Sequence, residues 1–334
     1  MSAQAYDAII ATIVVASDAT SVTKAMVKST TWREGTSGEW KSTSCTLEAG
    51  KTYQFRTPNS GSGSGTTAVL PNIKASVAVG WDTSGNTITS VGDYFLYCYA
   101  GDCTSLTSLS VPDTSGLTTV GSSFMDYYAG GCTSLTSLSI PDTSGLTSVG
   151  DYFMSSYAYG CTSLTSLSVP DTSGLTTVGD SFMIGYAYNC TSLTSLSVPD
   201  TSGLTTVGDF FMAYYAGGCT SLTSLSVPDT SGLTTVGSFF MDSYAYGCTS
   251  LTSLILKGDT GWFSSHNISW SVPSSRLNYL YAYCDSAYLT NWQGLTATDK
   301  TLYLNYIRSS SYVKALPTPI VGEKYPLPPF RRSV

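Results

Sequence analysis

Between Leu106 and Gly121 apolar and hydroxyl residues alternate in two short runs, LTSLSV and LTTVG. In the first, Leu109 and Val111 fall on one face and Ser108 and Ser110 on the other, the two-residue period of a half-buried strand. The second turns Leu117 and Val120 inward. PDTSG, between them, carries turn chemistry: Pro112 presets φ, Asp113 can bond its own backbone, and Gly116 tolerates a positive φ. The FMxxYAxGC segment that follows mixes Met, Ala and Tyr with Gly, and is expected to return the chain as a short helix or an irregular turn.

This pattern then recurs almost letter for letter. Cys103, Cys132, Cys161, Cys190, Cys219 and Cys248 stand 29 residues apart, a looser copy begins near Trp81, and a worn one ends in YLYAYC at residues 279 to 284. One unit cannot bury enough apolar surface to offset the entropy of ordering its backbone, so the units are expected to stack and draw stability from their neighbours. Equivalent cysteines on successive coils then run parallel instead of facing one another, and no CxxC pair exists for zinc, so buried free thiols are expected. Cys98 and Cys103 are near enough in sequence to pair in an oxidising compartment.

The order of Cys, SLTSL, an aliphatic residue and Pro, an aliphatic–Gly step and a Phe before the next Cys resembles the BspA-like leucine-rich repeats of microbial surface proteins, over about residues 81 to 256. The resemblance implies a mainly β, right-handed leucine-rich-repeat solenoid of about seven coils, and frequent roles in adhesion or recognition. It implies no ligand. These coils are longer than the family's usual unit, the extra residues falling in FMxxYAxG and PDTSG, and Thr114 stands near where many leucine-rich repeats place an Asn ladder.

The flanks read differently. Residues 1–60 contain ATIVVA, KAMVKSTTW and KTYQFRT and a hairpin, WREGTSGEWK, and are expected to form a small β domain serving as an attachment module. Residues 61–74 are a Gly/Ser-rich linker that should let that domain move, residues 75–256 the solenoid, and residues 257–334 a cap and Pro-rich tail, with Trp262, Phe263 and Trp270 closing the stack. The apolar run from Ala8 to Ala16 is too short to span a bilayer and lacks the basic flank of a secretory signal. The expectation is another export route, a place in a virus particle, or a leader missing from this sequence.

Charge narrows the partners. Charged residues are 11% of the chain, against a usual quarter or so. Residues 75 to 256 hold no Lys, Arg or Glu, only thirteen Asp, while residues 1 to 74 net +2 and residues 257 to 334 net +4. Nucleic acid and anionic membranes both need basic residues, so neither is an expected partner, nor is membrane insertion.

Chemistry is sparse. The lone His266 has Ser264, Ser265 and Asp259 nearby, but no nucleophile motif accompanies it, so no enzyme is expected, and no cofactor. Asp113, Asp142, Asp171, Asp200 and Asp229 should form a column whose repulsion a cation such as Ca²⁺ could relieve, although turn capping is the commoner use. The stacked Ser108, Ser137, Ser166, Ser195 and Ser224 read as a solvated strand face.

The copies differ chiefly after the second Gly: SSFMDYYAGG, DYFMSSYAYG, DSFMIGYAYN, DFFMAYYAGG and SFFMDSYAYG. Tyr, Ser, Gly, Asp and Asn are the palette of binding loops, Tyr supplying large rigid contacts and small polar residues adaptability. Tyr127, Tyr159, Tyr188, Tyr214 and Tyr246 are expected to line one ridge, with Tyr128, Tyr157, Tyr186, Tyr215 and Tyr244 of the same segments as further candidate ligand-binding residues. The function expected is non-catalytic recognition, outside a cell or on a virion, of a host or neighbouring surface glycan or protein. A spacer or decoration protein of a larger assembly such as a phage particle, with residues 1–60 and the tail contacting other structural proteins, is the alternative.

Overall fold

The computed structural model describes residues 6–15, 31–41, 48, 50–59, 77–82, 90–111, 114–258, 281–294 and 313–315. The chain winds as a β-solenoid of about six turns, and each turn advances the sequence by 29 residues. Two short parallel ladders run along it. In one, Ser166 and Leu167 lie against Ser195 and Leu196. In the other, Ser148, Thr177, Thr206 and Thr235 stand in line, each followed by a Val. The inward leucines expected of both runs are buried, Leu109 and Leu117 among them.

The interior is a set of columns in which each side chain packs on its own counterpart. Phe95, Phe124, Phe153, Phe182, Phe211 and Phe240 form one stack, with ring centroids 5.4–5.6 Å apart and planes within 12°. Tyr99, Tyr128, Tyr157, Tyr186, Tyr215 and Tyr244 form a second at 5.3–5.5 Å. From Tyr128 onward each hydroxyl donates across its coil to a strand carbonyl, that of Ser110, Ser139, Ser168, Ser197 or Ser226, at 2.6–2.9 Å. Burial therefore leaves these phenols satisfied, as a buried polar tip requires.

The cysteines obey the same rule. Each thiol from Cys132 to Cys248 donates to the Ala carbonyl of the preceding coil at 3.0–3.1 Å. Burial pushes the thiols of Cys190 and Cys248 up to about 12, so they are small packed hydrophobes and not nucleophiles. Cys98 and Cys103 are not joined in a disulfide; Cys103 is buried and Cys98 half-buried. Where an Asn ladder was the reference, this chain has a threonine column: Thr143, Thr172 and Thr201 are buried, and their hydroxyls donate to the carbonyls of Asp171, Asp200 and Asp229 on the next coil.

The returning segment is neither helix nor ordinary loop. Alternate residues take a positive φ: in one coil Tyr152, Met154 and Ser156 lie at 56°, 46° and 48°, and the other coils repeat this at the same places. Each such residue other than Gly costs roughly 1–2 kcal/mol. The offset is a ladder between coils, in which Tyr152, Ser156, Ala158 and Gly160 donate to carbonyls of the next coil at 2.7–2.9 Å while Met154 donates backward to Phe124. Of the two forms expected, the segment takes the irregular turn and not the short helix, because turning the peptide planes alternately aims these donors along the solenoid axis instead of back into their own segment.

Both ends continue the first ladder. Strands β1 (Tyr6–Val15), β2 (Thr31–Glu34), β3 (Thr52–Asn59) and β4 (Val77–Asp82) form a sheet in the order β2-β3-β1-β4, and β4 pairs in parallel with Leu106–Leu109 of the solenoid. The linker 61–74 lies outside the described residues, yet β1 pairs with β4 on its far side through six residues, so the freely moving domain expected from composition is held edge to edge with the solenoid. The expected hairpin forms: Trp32 and Lys41 exchange backbone bonds at 2.9 and 2.8 Å, with Arg33 over the Trp40 ring.

At the other end Tyr281–Cys284 pairs with Ser253–Leu256, and Val313–Ala315 adds one more strand. YAYC therefore takes the place of the SLIL strand, with Cys284 beside Leu256, and is not the worn YAxGC return that its letters suggest. Trp262, Phe263 and Trp270 lie outside the described residues. Trp292 is buried there, and its indole N–H donates to the Gly258 carbonyl at 3.0 Å.

Removing one core hydroxyl tests the columns. Tyr186→Phe leaves the Ser168 carbonyl without its phenol donor and should lower stability by about 1 kcal/mol in thermal or urea melts; an unchanged midpoint would show that the cross-coil bond contributes nothing.

Candidate functional site

The alternating backbone of the return segment decides which side chains reach solvent. Of the ten tyrosines read as ligand-binding, Tyr128, Tyr157, Tyr186, Tyr215 and Tyr244 are the core stack and are fully buried. This corrects that expectation: they serve packing, because the residue before the invariant Ala always points inward. The other five lie on the outer edge. Tyr159, Tyr214 and Tyr246 are 36%, 38% and 50% exposed, and Tyr127 and Tyr188 are half-buried.

Four of them, Tyr127, Tyr159, Tyr188 and Tyr214, form a broken stack along the solenoid. Tyr159 and Tyr188 are parallel at 5.5 Å, Tyr127 tilts against Tyr159 at 5.8 Å, and Tyr214 meets Tyr188 edge-on at 6.0 Å. Parallel pairs cover their ring faces and show hydroxyl-bearing rims, whereas the tilted junctions leave ring faces open. Sequence reasoning missed a second line on the same edge. Tyr94, Tyr152, Phe210 and Phe239 occupy equivalent positive-φ positions and are exposed, Phe239 by 60%, and Phe210 stacks on Phe239 at 4.7 Å. The signal was present in the letters, as an aromatic just before the invariant Phe in DYF, DFF and SFF.

Two positions three residues apart vary jointly. Successive coils carry Tyr127 with Gly130, Ser156 with Tyr159, Gly185 with Tyr188, Tyr214 with Gly217, and Ser243 with Tyr246. At these two positions each of these coils thus has one tyrosine and never two, whereas the coil before them carries Cys98 with Gly101. Space is the reason: a Cβ on Gly130 would lie 2.4 Å from the Tyr127 ring, and one on Gly217 would lie 2.7 Å from the Tyr188 ring. Either position can supply the ring; at the second a Gly makes room for a ring of its own coil or of the coil before, whereas a Cβ on Gly185, at the first, would meet only Ser156 Oγ at 3.4 Å and Tyr188 Cβ at 3.7 Å.

The acidic residues are occupied elsewhere. Asp142, Asp171, Asp200 and Asp229 each accept the N–H and hydroxyl of the Ser two residues on, and the Ser173 N–H holds Asp171 below the usual carboxylate range. Asp113 lies outside the described residues, and among those described no group of three or more His, Cys, Asp or Glu is placed to hold a metal. A second set, Asp93, Asp151, Asp180 and Asp209, accepts the backbone N–H one coil further on at 2.6–2.9 Å. Asp126, on the aromatic edge, differs: burial pushes its carboxyl up to about 6, against a bond from Ser155 that pulls it down. His266 lies outside the described residues. Among the described residues no helix is long and apolar enough to cross a membrane.

A solenoid with repeated ladders inside and a variable aromatic edge outside defines a leucine-rich-repeat protein, typically a non-catalytic scaffold for interaction. The profile of the BspA type leucine-rich repeat region matches residues 84–267 in six copies. That is more than half of the chain, which belongs to this family. BspA-like proteins are surface- and adhesion-type repeat proteins, typically secreted or on the cell surface, and leucine-rich repeats generally mediate protein binding. A search among curated proteins found no match.

The shared ring space predicts coupling. Gly130→Tyr alone should cost about 1–3 kcal/mol by overpacking against Tyr127, whereas Gly130→Tyr combined with Tyr127→Ser recreates the arrangement of Ser156 with Tyr159 and should recover much of it. Additive effects in a double-mutant cycle would remove the argument.

Asp126 gives a pH test. Its carboxyl titrates near 3.8 without the fold and about 6 within it, so the native state binds more protons across that window. Stability should therefore fall as pH rises from about 4 to 6 and stay lower above. Asp126→Asn should raise the melting temperature at pH 7 and leave it unchanged at pH 3; the same increment at both pH values would contradict the assignment.

Proposed function

We propose that this chain is a non-catalytic recognition protein, displayed outside a cell or on a virus particle, that binds a host or neighbouring surface ligand along the outer edge of its return segments. The observation that carries this reading is the joint variation: the edge residues change from coil to coil, yet one tyrosine is kept in each of the five coils from Tyr127 to Tyr246. The coil before them carries Cys98 with Gly101 and no ring, so the ridge begins at Tyr127. Rigid aromatic area set among Ser, Gly, Asp and Asn is suited to contact at low entropic cost. The edge-to-edge pairing of β4 with the solenoid supports a mounting role for the N-terminal sheet, so that the ridge is held at a fixed attitude to whatever carries it.

The spacer reading draws on that same pairing, since a stiff mount suits a decoration protein equally well. The full chain and its Tyr159→Ala, Tyr188→Ala, Tyr246→Ala triple variant, applied to glycan, cell-surface and protein arrays, separate the two. Recognition by the ridge predicts binding that the triple variant loses with its melting temperature little changed. Binding that survives intact, or no binding by the parent chain, favours the spacer.

A further inference from the structure

Resting on the recognition reading, and going on to the ligand's class, we infer that the aromatic edge takes a neutral, linear polysaccharide lying along the solenoid axis. Three features of the edge converge on that occupant. The first is periodicity. Four ridge rings follow one another at 5.5–6.0 Å, so a ligand lying along the axis meets a tyrosine at each of four successive coils. A polymer with its own short repeat can use all of them. The second is charge. Between residues 75 and 256 there is no Lys, Arg or Glu, and every ionisable acid is Asp. An anionic polymer would find no counter-charge and a field of like sign. Arg, enriched among the anchors of protein–protein hot spots, is missing as well.

The third feature is the chemistry of the surface. Phenol rims at the parallel Tyr159–Tyr188 pair offer hydroxyls that both donate and accept. The tilted junction of Tyr127 with Tyr159 and the edge-on meeting of Tyr188 with Tyr214 open ring faces to the apolar side of a sugar ring. The line of Tyr94, Tyr152, Phe210 and Phe239 adds further exposed rings on the same segments. A chain of uncharged, polyhydroxylated rings matches this mixture of apolar faces and neutral hydrogen-bonding groups.

The test titrates the full chain against neutral homopolymer oligosaccharides of two, four and six units, from β-glucan, xylan, mannan, galactan and chitin. Polygalacturonate of the same lengths is the anionic arm, and a cell-surface protein array runs beside it. The expected result is binding to at least one neutral series, with affinity rising from two units to six and polygalacturonate unbound. Each of Tyr159→Ala, Tyr188→Ala and Tyr214→Ala should weaken it about two- to tenfold. Tyr188→Phe, which keeps the ring, should lose less than Tyr188→Ala, and melting curves of all variants establish that they fold. Affinity flat with length, equal binding of polygalacturonate, or no binding to any neutral series overturns the polysaccharide. If a protein ligand is bound instead and the tyrosine variants lose it, the recognition reading stands without this inference. If no ligand of either kind depends on the tyrosines, both fall.

Discussion

Every side chain in the solenoid has to pack on a copy of the position it occupies, 29 residues before and after. That one constraint sorts the amino acids. Rings tolerate it, because offset parallel stacking is favourable, and the Phe and Tyr columns hold their rings within 5.3–5.6 Å. Hydroxyls and thiols tolerate it when they can donate to a neighbouring coil's carbonyl, as the threonines and cysteines do. Charges do not: two like charges about 5 Å apart repel by roughly 1 kcal/mol in water and about 3 at the effective dielectric of a protein surface. A chain built by repetition multiplies that cost at every coil. Aspartate is the exception because it is short enough to be held by backbone N–H groups, either those of the next coil, at Asp151 and Asp180, or those of its own turn, at Asp171 and Asp200. The absence of Lys, Arg and Glu from residues 75–256 is thus a property of the architecture before it is a statement about partners.

The same constraint explains the glycine of the VG step. At Gly179 a Cβ would stand 2.3 Å from the carboxylate oxygen of Asp151, the atom that accepts the next coil's N–H at Asp180. The aspartate ladder and the glycine ladder are one device, in which the missing side chain of one coil makes room for the bond that ties it to the coil before.

Much of this was legible in the letters. The spacing of the cysteines gave the length of each coil, the two alternating runs gave the strands, and the identity of the Cys column gave buried thiols. What was misread lies in the return segment. Adjacent tyrosines such as Tyr127 and Tyr128 look alike on paper, and only the fold sends one outward and the other into the stack. A clue to the difference existed: Tyr99, Tyr128, Tyr157, Tyr186, Tyr215 and Tyr244 recur at the fixed interval, as core columns must, whereas the outward tyrosines slip between two positions. YAYC misled for a related reason. Cys284 ends a motif resembling the return segment, but its segment is a strand, in which Ala282 and Cys284 pair with Leu254 and Leu256. The free movement expected of the N-terminal strands is not what the structure shows, because the composition of residues 61–74 says nothing of strands on either side that pair with one another.

The division between fixed columns and a shifting edge also bears on why part of the edge, Tyr127, Tyr152 and Tyr214 among it, is built from left-handed residues. An ordinary strand there would offer alternate side chains to solvent on a flat face, in a register set by the ladder. The alternating segment instead places outward residues at 152 and 156 of one coil, both at positive φ, where glycine is tolerated as well as any side chain; Gly185, at φ 59°, occupies the position that Ser156 and Tyr214 hold in neighbouring coils. A site that accepts Tyr, Ser, Phe or Gly without moving the backbone can change its surface freely, because the inter-coil ladder and not the side chain maintains its shape. The backbone strain and the variability of the surface are therefore two consequences of one arrangement: the ladder offsets the strain, and in doing so leaves the outward side chains available for contact.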